Sequence, residues 1–252
     1  MAWLISDPMV RRLSHAMNIL RRLFGKKSLD NTDHPPAREN AVPVSPKGAR
    51  ADYQFRWYDP GPENPFGIRL LDCRPLTQTV IATTSDRSIA ERYNLLRGSN
   101  GRDLISAQIP DSVRCPASLR FPHNGAPLKG IVFKAPSMDV KWDIYVYDSV
   151  FHFARSWTGE LQYRAFATVG PSDIHVTEIE CPRLESKIAA CHVYFLVATH
   201  AMGRVLPHRL PEGTPEDPMT IATLSFSMFG NLGCYATFED ITRIPITRPS
   251  AS

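Results

Sequence analysis

The chain has 252 residues, of which 43% are hydrophobic and 21% are charged, enough for one large globular domain or two small ones. Its net charge of +4 is concentrated at the beginning, because residues 1–50 contain nine Lys or Arg against four acids, whereas the other 202 residues contain twenty against twenty-one. The body therefore lacks the net basic charge of a dedicated nucleic-acid-binding domain, and we do not expect nucleic acid as its main partner.

The five cysteines are odd in number and contain no C-x-x-C pair, which is typical of reduced thiols. The apolar start of the chain ends at Ser6-Asp7-Pro8 and is followed by arginines, so we predict no secretory signal peptide. The sequence has no run of about 18 apolar residues that would predict a membrane span. We expect a cytoplasmic protein, with peripheral attachment to a membrane as an open alternative.

Residues 9–24 have the period of a basic amphipathic helix, begun by Asp7 and Pro8 and ended by Gly25. Such a helix is marginal alone and needs a surface for its apolar face, which the protein's own body, a partner protein or an anionic membrane can supply. The residues that we expect to dock on that surface are Leu13, Met17, Leu20, Arg21, Arg22 and Phe24.

Residues 28–52 contain four prolines and few large apolar side chains, which is typical of a disordered linker. A linker of this length is unusual inside a compact domain, so it favours an external target for the helix. The predicted organisation is an amphipathic helix at 1–27, a linker at 28–52 and a single globular domain at 53–252.

The body has the pattern of an α+β fold with a mainly antiparallel sheet. A central meander at about 141–181 is predicted from strands 142–148, 150–157 and 161–169 with tight turns between them, followed by a strand at 174–181. Helices at about 185–202 and 217–229 are expected to cover it, although the second segment also alternates as a strand would. Further predicted elements are strands at 66–72, 77–84, 119–121, 130–135 and 229–241 and a helix at 86–97 capped by Ser85.

Arg155 is the most informative residue of the meander, because strand alternation places it on one face with Phe151, Phe153 and Trp157. A guanidinium among apolar side chains requires either an internal carboxylate, such as Glu178 or Glu180, or an external ligand. The same turn contains the residue types of recognition surfaces, and the predicted partner-binding residues are Arg155, Trp157, Glu160, Tyr163 and Arg164. The competing interpretation is that Trp157 belongs to the core and the arginines form structural ion pairs.

The common catalytic motifs G-x-S-x-G, H-E-x-x-H and G-x-G-x-x-G are missing from the sequence, and so is the EF-hand loop. Cys73 beside Arg74 is the best nucleophile candidate, although a buried structural thiol is the more common case. His192 and His200 are eight residues apart, a spacing that suits core histidines better than metal ligands. We predict no catalytic residue, no metal and no cofactor.

Three functions remain open. The leading one is a non-enzymatic interaction protein, of an accessory or immunity-like kind, that binds a protein partner. The second is an enzyme of unfamiliar type that uses Arg155 to hold an anionic substrate. The third is nucleic-acid binding through the N-terminal helix.

Overall fold

The computed structural model describes residues 52–246, and they form an α+β fold with two sheets. The predicted amphipathic helix at 1–27 and nearly all of the predicted linker lie outside the described residues. The strands are β1 (Arg56–Tyr58), β2 (Leu70–Asp72), β3 (Ser112–Pro122), β4 (Gly130–Phe133), β5 (Trp142–Tyr147), β6 (Val150–Arg155), β7 (Leu161–Val169), β8 (Asp173–Pro182), β9 (Pro207–Arg209) and β10 (Tyr235–Thr237). The α-helices are α1 (Arg74–Thr77), α2 (Arg87–Gly98), α3 (Ala189–Leu196) and α4 (Pro218–Phe229).

The larger sheet has six antiparallel strands in the order β3-β8-β7-β6-β5-β4. Its centre is the predicted meander, in which Phe153 lies opposite Ile144 on one side and Tyr163 on the other. Asp148 and Ser149 join β5 to β6 with φ values of 50° and 61°, the left-handed pair that a two-residue hairpin turn requires. The predicted meander is confirmed.

Both faces of this sheet are buried. Phe151 and Phe153 pack with α3 residues such as Phe195 in the main core, together with residues at the end of α4. On the other face, Tyr145 and Tyr147 pack against the segment that follows α2, in a smaller cluster with Leu104, Ile109, Ala154 and Leu161. Burial on both faces explains why β5 and β6 are almost continuously apolar in sequence.

The smaller sheet was not predicted. Its order is β1-β2-β10-β9, and only the β9–β10 pair is parallel. The predicted strand at 77–84 is wrong, because α1 and an irregular segment occupy these residues, and the predicted strand at 229–241 shortens to Tyr235–Thr237. The strand predicted at 119–121 is part of the eleven-residue β3. Three-residue strands offer too little alternation for a sequence pattern to identify them.

The helices agree with their predicted positions, with changes at their ends. Asp86 caps α2 by accepting from the backbone N–H of Ser88 at 2.9 Å, so Ser85 is not the cap. The segment at 217–229 is a helix, as predicted, and Asp217 accepts from Thr220 N–H at 2.7 Å at its start. The predicted helix at 185–202 is α3 followed by a π-helical turn, Val197–Ala201.

Within the described part of the chain, every helix is too short or too polar to cross a bilayer.

Candidate functional site

Among residues 52–246, no carboxylate forms an ion pair with Arg155. Its Nη1 donates to the carbonyl of Met228 and its Nη2 to the carbonyl of Ser227, both at 2.9 Å, and the guanidinium lies 4.7 Å from the ring centre of Trp142. These two carbonyls belong to the last turn of α4, where helical carbonyls have no partner within the helix and carry partial negative charge. The expected partners Glu178 and Glu180 are therefore incorrect, because the negative end of a helix satisfies this cation.

Burial lowers the pKa of Arg155 to about 10, so the guanidinium stays charged at neutral pH. The indole Nε1 of Trp142 also donates to the Met228 carbonyl, at 2.7 Å. We call this contact between β5, β6 and the end of α4 the helix junction. It holds α4 against the edge of the meander through three hydrogen bonds.

Gly230 allows the close approach at the helix junction. It follows α4 with a φ of +66°, and a Cβ atom there would lie 1.7 Å from the carbonyl oxygen of Asp139. The same oxygen accepts from Asn231 N–H at 3.0 Å. The chain can therefore leave α4 along the loop before β5 only with glycine at this position.

Lys141 is the residue at this junction that the sequence analysis missed. It is 7% exposed, its Nζ donates to the Met138 carbonyl at 2.8 Å, and it lies over the rings of Trp157 and Phe226 at 4.3 and 4.8 Å. No carboxylate among residues 52–246 forms an ion pair with it. Burial, followed by repulsion from Arg155, lowers the pKa of Lys141 to about 7.

Trp157 lies in the turn between β6 and β7, residues 156–160, which we call the meander tip. It is partly exposed, and its Nε1 donates to the Met138 carbonyl at 2.9 Å. On the other side of the tip, Arg92 from α2 donates to the Thr158 carbonyl at 2.7 Å. The tip is thus held from two sides while Trp157 remains partly exposed.

The surface beside the tip combines apolar and charged groups. Glu160 is exposed at the tip, and Leu95, two turns from the start of α2, is 78% exposed. Gly159 has a φ of +71°, and a Cβ there would lie 2.9 Å from Leu96 Cδ2, so the tip also touches α2. Trp157 and Thr158 are partly exposed, and Glu160, Arg92 and Leu95 are exposed.

Tyr163 is not part of that surface. It is 1% exposed, stacks on Trp142 at 5.7 Å and places its hydroxyl between the Glu185 carboxylate, to which it donates, and Nδ1 of His192 at 2.8 Å. Burial raises the pKa of both Tyr163 and Glu185, whereas burial lowers the pKa of His192 to about 3. The prediction that Tyr163 contacts a partner is therefore corrected: this side chain belongs to an internal polar network.

Arg164 has the structural role that the competing interpretation described. Its Nη1 donates to Glu180 at 2.9 Å, its Nη2 donates to the Ala107 carbonyl, and both charged side chains are largely buried. Glu178 instead pairs with Arg114 on β3. Neither carboxylate approaches the helix junction through an ion pair, so the two acids do not form a catalytic pair with Arg155.

The nucleophile candidate is buried. Cys73 has no exposed surface and contacts Ser225 Oγ at 3.4 Å, and burial raises the pKa of its thiol to about 12, which makes it unreactive. His192 and His200 are also buried and neutral, and no three His, Cys, Asp or Glu side chains within 52–246 are grouped as metal ligands.

One depression on the described surface is open and has a volume of about 500 Å³. It lies between the loop before β2 and the segment after β10, and none of the candidate residues lines it. Its lining residues are Phe66, Ile68, Glu239, Asp240, Arg243, Ile244 and Pro245.

Comparison with models of protein families, with curated proteins and with solved structures found no match to this chain.

Proposed function

We propose that the chain is a non-enzymatic interaction protein that binds a protein partner through the meander tip. The observation that supports this most is Trp157, which is partly exposed although its position is fixed by the hydrogen bond to Met138 and the contact with Lys141. An aromatic side chain held in place loses little conformational entropy on binding, and Trp and Arg dominate the binding energy of many interfaces.

The neighbouring groups support the same proposal. Arg92 of α2, bonded to the Thr158 carbonyl, adds a cationic group beside the tip, and Glu160 adds an exposed negative charge. Apolar and aromatic groups surrounded by charges are the usual anatomy of a non-obligate interface. Of the five residues predicted to bind a partner, Trp157 and Glu160 remain in this proposal, whereas Arg155, Tyr163 and Arg164 bond to groups within the fold and are left out of it.

The enzyme alternative has less support. Two of the five N–H donors of Arg155 are bonded to carbonyls at the end of α4, which gives this side chain a structural role. Cys73, the nucleophile candidate, contacts Ser225 inside the fold, and Glu178 pairs with Arg114.

The N-terminal segment has a second role in this proposal. We expect residues 1–27 to dock on the same partner or on an anionic membrane, with Leu13, Met17, Leu20 and Phe24 on the apolar side and Arg21 and Arg22 on the basic side. Flotation with phosphatidylserine-containing and with neutral vesicles tests the membrane, using the full chain and a chain that lacks residues 1–27. Equal flotation of the two chains would contradict a docking role on membranes.

The partner surface is tested with the full chain and two variants in a quantitative affinity capture from the cells that produce it. Trp157→Ala should weaken capture of a specific partner by ten-fold or more, the loss typical of a central aromatic contact, and the charge reversal Glu160→Arg should weaken it without touching the core. Trp57→Ala, a partly buried tryptophan on the small sheet, is the matched control. A specific partner captured equally by all four chains would refute the meander tip as the binding surface.

A further inference from the structure

Cys115 and Cys181 lie together at one edge of the six-stranded sheet. Cys115 is in the edge strand β3, opposite Ile179 of β8, and Cys181 of β8 lies opposite Val113. The two cysteines are therefore diagonal neighbours in this antiparallel pair. Residues at this spacing project from the same face of the sheet, because side chains alternate along each strand. Both thiols accordingly pack against the main core.

The two thiols also contact each other directly. Burial, followed by the electrostatic effect of Cys115 and a hydrogen bond between the two side chains, raises the pKa of Cys181 to about 12. A hydrogen bond that raises the pKa of a thiol stabilises its neutral form, so the S–H of Cys181 donates to the Cys115 sulfur. Cys181 has no exposed surface, whereas Cys115 is partly exposed. One thiol of the pair is thus accessible to a small reagent, and the other touches it from within the core.

The other three cysteines have sulfur partners of a different kind. Within residues 52–246 these partners are a hydroxyl, an amide and a carboxylate: Ser225 for Cys73, Gln78 for Cys234 and Asp240 for Cys191. None of these groups can form a disulfide with an oxidised sulfur. Oxidation of Cys115, in contrast, places the oxidised sulfur beside a second thiol.

The geometry points to an oxidative modification site: hydrogen peroxide converts Cys115 and Cys181 into a reversible disulfide that joins β3 to β8. Cys115 loses its proton to solvent, and its thiolate attacks one peroxide oxygen. The O–O bond breaks, the leaving hydroxide takes up a proton, and Cys115 sulfenic acid and one water form. The Cys181 sulfur then attacks the Cys115 sulfur, the S–O bond breaks, and the hydroxide leaves as water with the Cys181 proton. Two thiols are thereby oxidised, and one hydrogen peroxide is reduced to two waters.

The spacing of the two strand positions makes this bond easy to reduce. Diagonal neighbours have Cα atoms about 7–8 Å apart, slightly beyond the usual disulfide span of about 4.4–6.8 Å. Closing the bond therefore draws β3 locally towards β8. β3 can move in this way, because it has no strand on its outer side and its register with β8 shifts between Pro116 and Leu119. A strained disulfide has a higher reduction potential than a structural one, so glutathione should reduce it.

The test treats the full chain with hydrogen peroxide at pH 7 and pH 9, removes the peroxide with catalase and unfolds the protein in N-ethylmaleimide. Mass spectrometry should show a fall from five labelled cysteines to three. A non-reducing tryptic digest should contain peptide 115–120 linked to peptide 165–183, which hold the two cysteines. The link should form faster at pH 9, where more of the Cys181 thiol is ionised, and excess glutathione should remove it.

Variants test the order of the two steps. Cys181→Ala leaves the sulfenic acid of Cys115 without a partner thiol, so dimedone should label Cys115 in this variant after peroxide treatment. Cys115→Ser should lose both the linked peptides and the dimedone label. Cys191→Ser is the control and should behave like the natural chain.

Three results would overturn the inference: five labelled cysteines after treatment at both pH values, linked peptides from another pair, or oxidation of Cys115 without a bond to Cys181. A bond that resists excess glutathione would contradict its reversible character. If Cys181→Ala does not fold, the peptide map of the natural chain decides alone. The inference does not depend on the proposed partner surface.

Discussion

Replacing Lys141 with methionine should stabilise the protein at pH 7. Methionine has a similar unbranched shape and fits between the rings of Trp157 and Phe226 without a charge. The pKa of Lys141 falls from 10.5 to about 7 on folding, and each pH unit between these values corresponds to about 1.4 kcal/mol. Keeping the ammonium protonated in the folded chain at pH 7 therefore costs about 4–5 kcal/mol.

Attraction of the ammonium to the two rings offsets part of that cost, by about 0.5–1 kcal/mol for each ring. The expected gain for Lys141→Met is thus about 2–4 kcal/mol at pH 7. The sign of the pH dependence follows from proton binding: between pH 7 and 10.5 the folded chain binds fewer protons at this site than the unfolded chain. The contribution of Lys141 to the free energy of unfolding therefore falls as the pH decreases from 10.5 to 7, and it is constant below pH 7.

Urea unfolding of the natural chain and of Lys141→Met at pH 7 and pH 9 measures the gain in unfolding free energy and its dependence on pH. The advantage of the variant should shrink by about 2 kcal/mol at the higher pH, because removing the proton that the folded chain does not hold costs less free energy there. Lys129→Met, at an exposed position, is the control and should show no such difference. A variant that is less stable than the natural chain by the same amount at both pH values would refute the reasoning, because Lys141 would then be a stabilising, permanently charged group.

Three further outcomes are expected. Gly230→Ala should lower the free energy of urea unfolding by at least about 3 kcal/mol, because the new Cβ overlaps the Asp139 carbonyl. Gly203→Ala is the control: it has a similar φ of +64° but open space around it, and it should lose only about 1–2 kcal/mol. Similar losses in the two variants would exclude the overlap as the cause. Tyr163→Phe should cost about 2–4 kcal/mol because two buried polar partners lose their hydrogen bond, and a loss below 1 kcal/mol would contradict that network. Circular dichroism should show that the chain unfolds in acid before the pH falls to 4, because burial lowers the pKa of His192, His200 and His208 far below 6.5. As the pH falls below 6.5, each of these histidines lowers the free energy of unfolding by about 1.4 kcal/mol per pH unit. A chain that is still folded at pH 3.5 would contradict the burial of these side chains.

The meander was predictable because its information is local. Alternating aromatic and aliphatic residues in β5, β6 and β7 specify the strands, and the turn at Asp148 and Ser149 specifies the joint between the first two. The helix at 217–229 was also predictable from its N-cap and its terminal glycine, although its alternating apolar and polar residues are also typical of a strand. These signals lie within the elements that they define or directly beside them.

The small sheet and the contacts of Arg155 were not predictable in this way. Strands β2 and β10 are three residues each and far apart in the chain, so only the packed fold brings Cys73 to Cys234. Strand alternation predicted that Arg155 lies on an apolar face and needs a negative partner, for which carboxylates were the visible candidates. Its actual partners are backbone carbonyls at the end of a helix, and no side-chain type in the sequence marks such carbonyls as acceptors.

The sequence alone therefore determined the α+β class, the order of the central strands and the faces on which their side chains lie. Only the tertiary structure decided what covers each face. It assigned Arg155 to the end of α4, Tyr163 to an internal network and Lys141 to a space between two rings. The physical reason is that strand and helix periods depend on neighbouring residues, whereas burial and charge partners depend on groups that are distant in sequence.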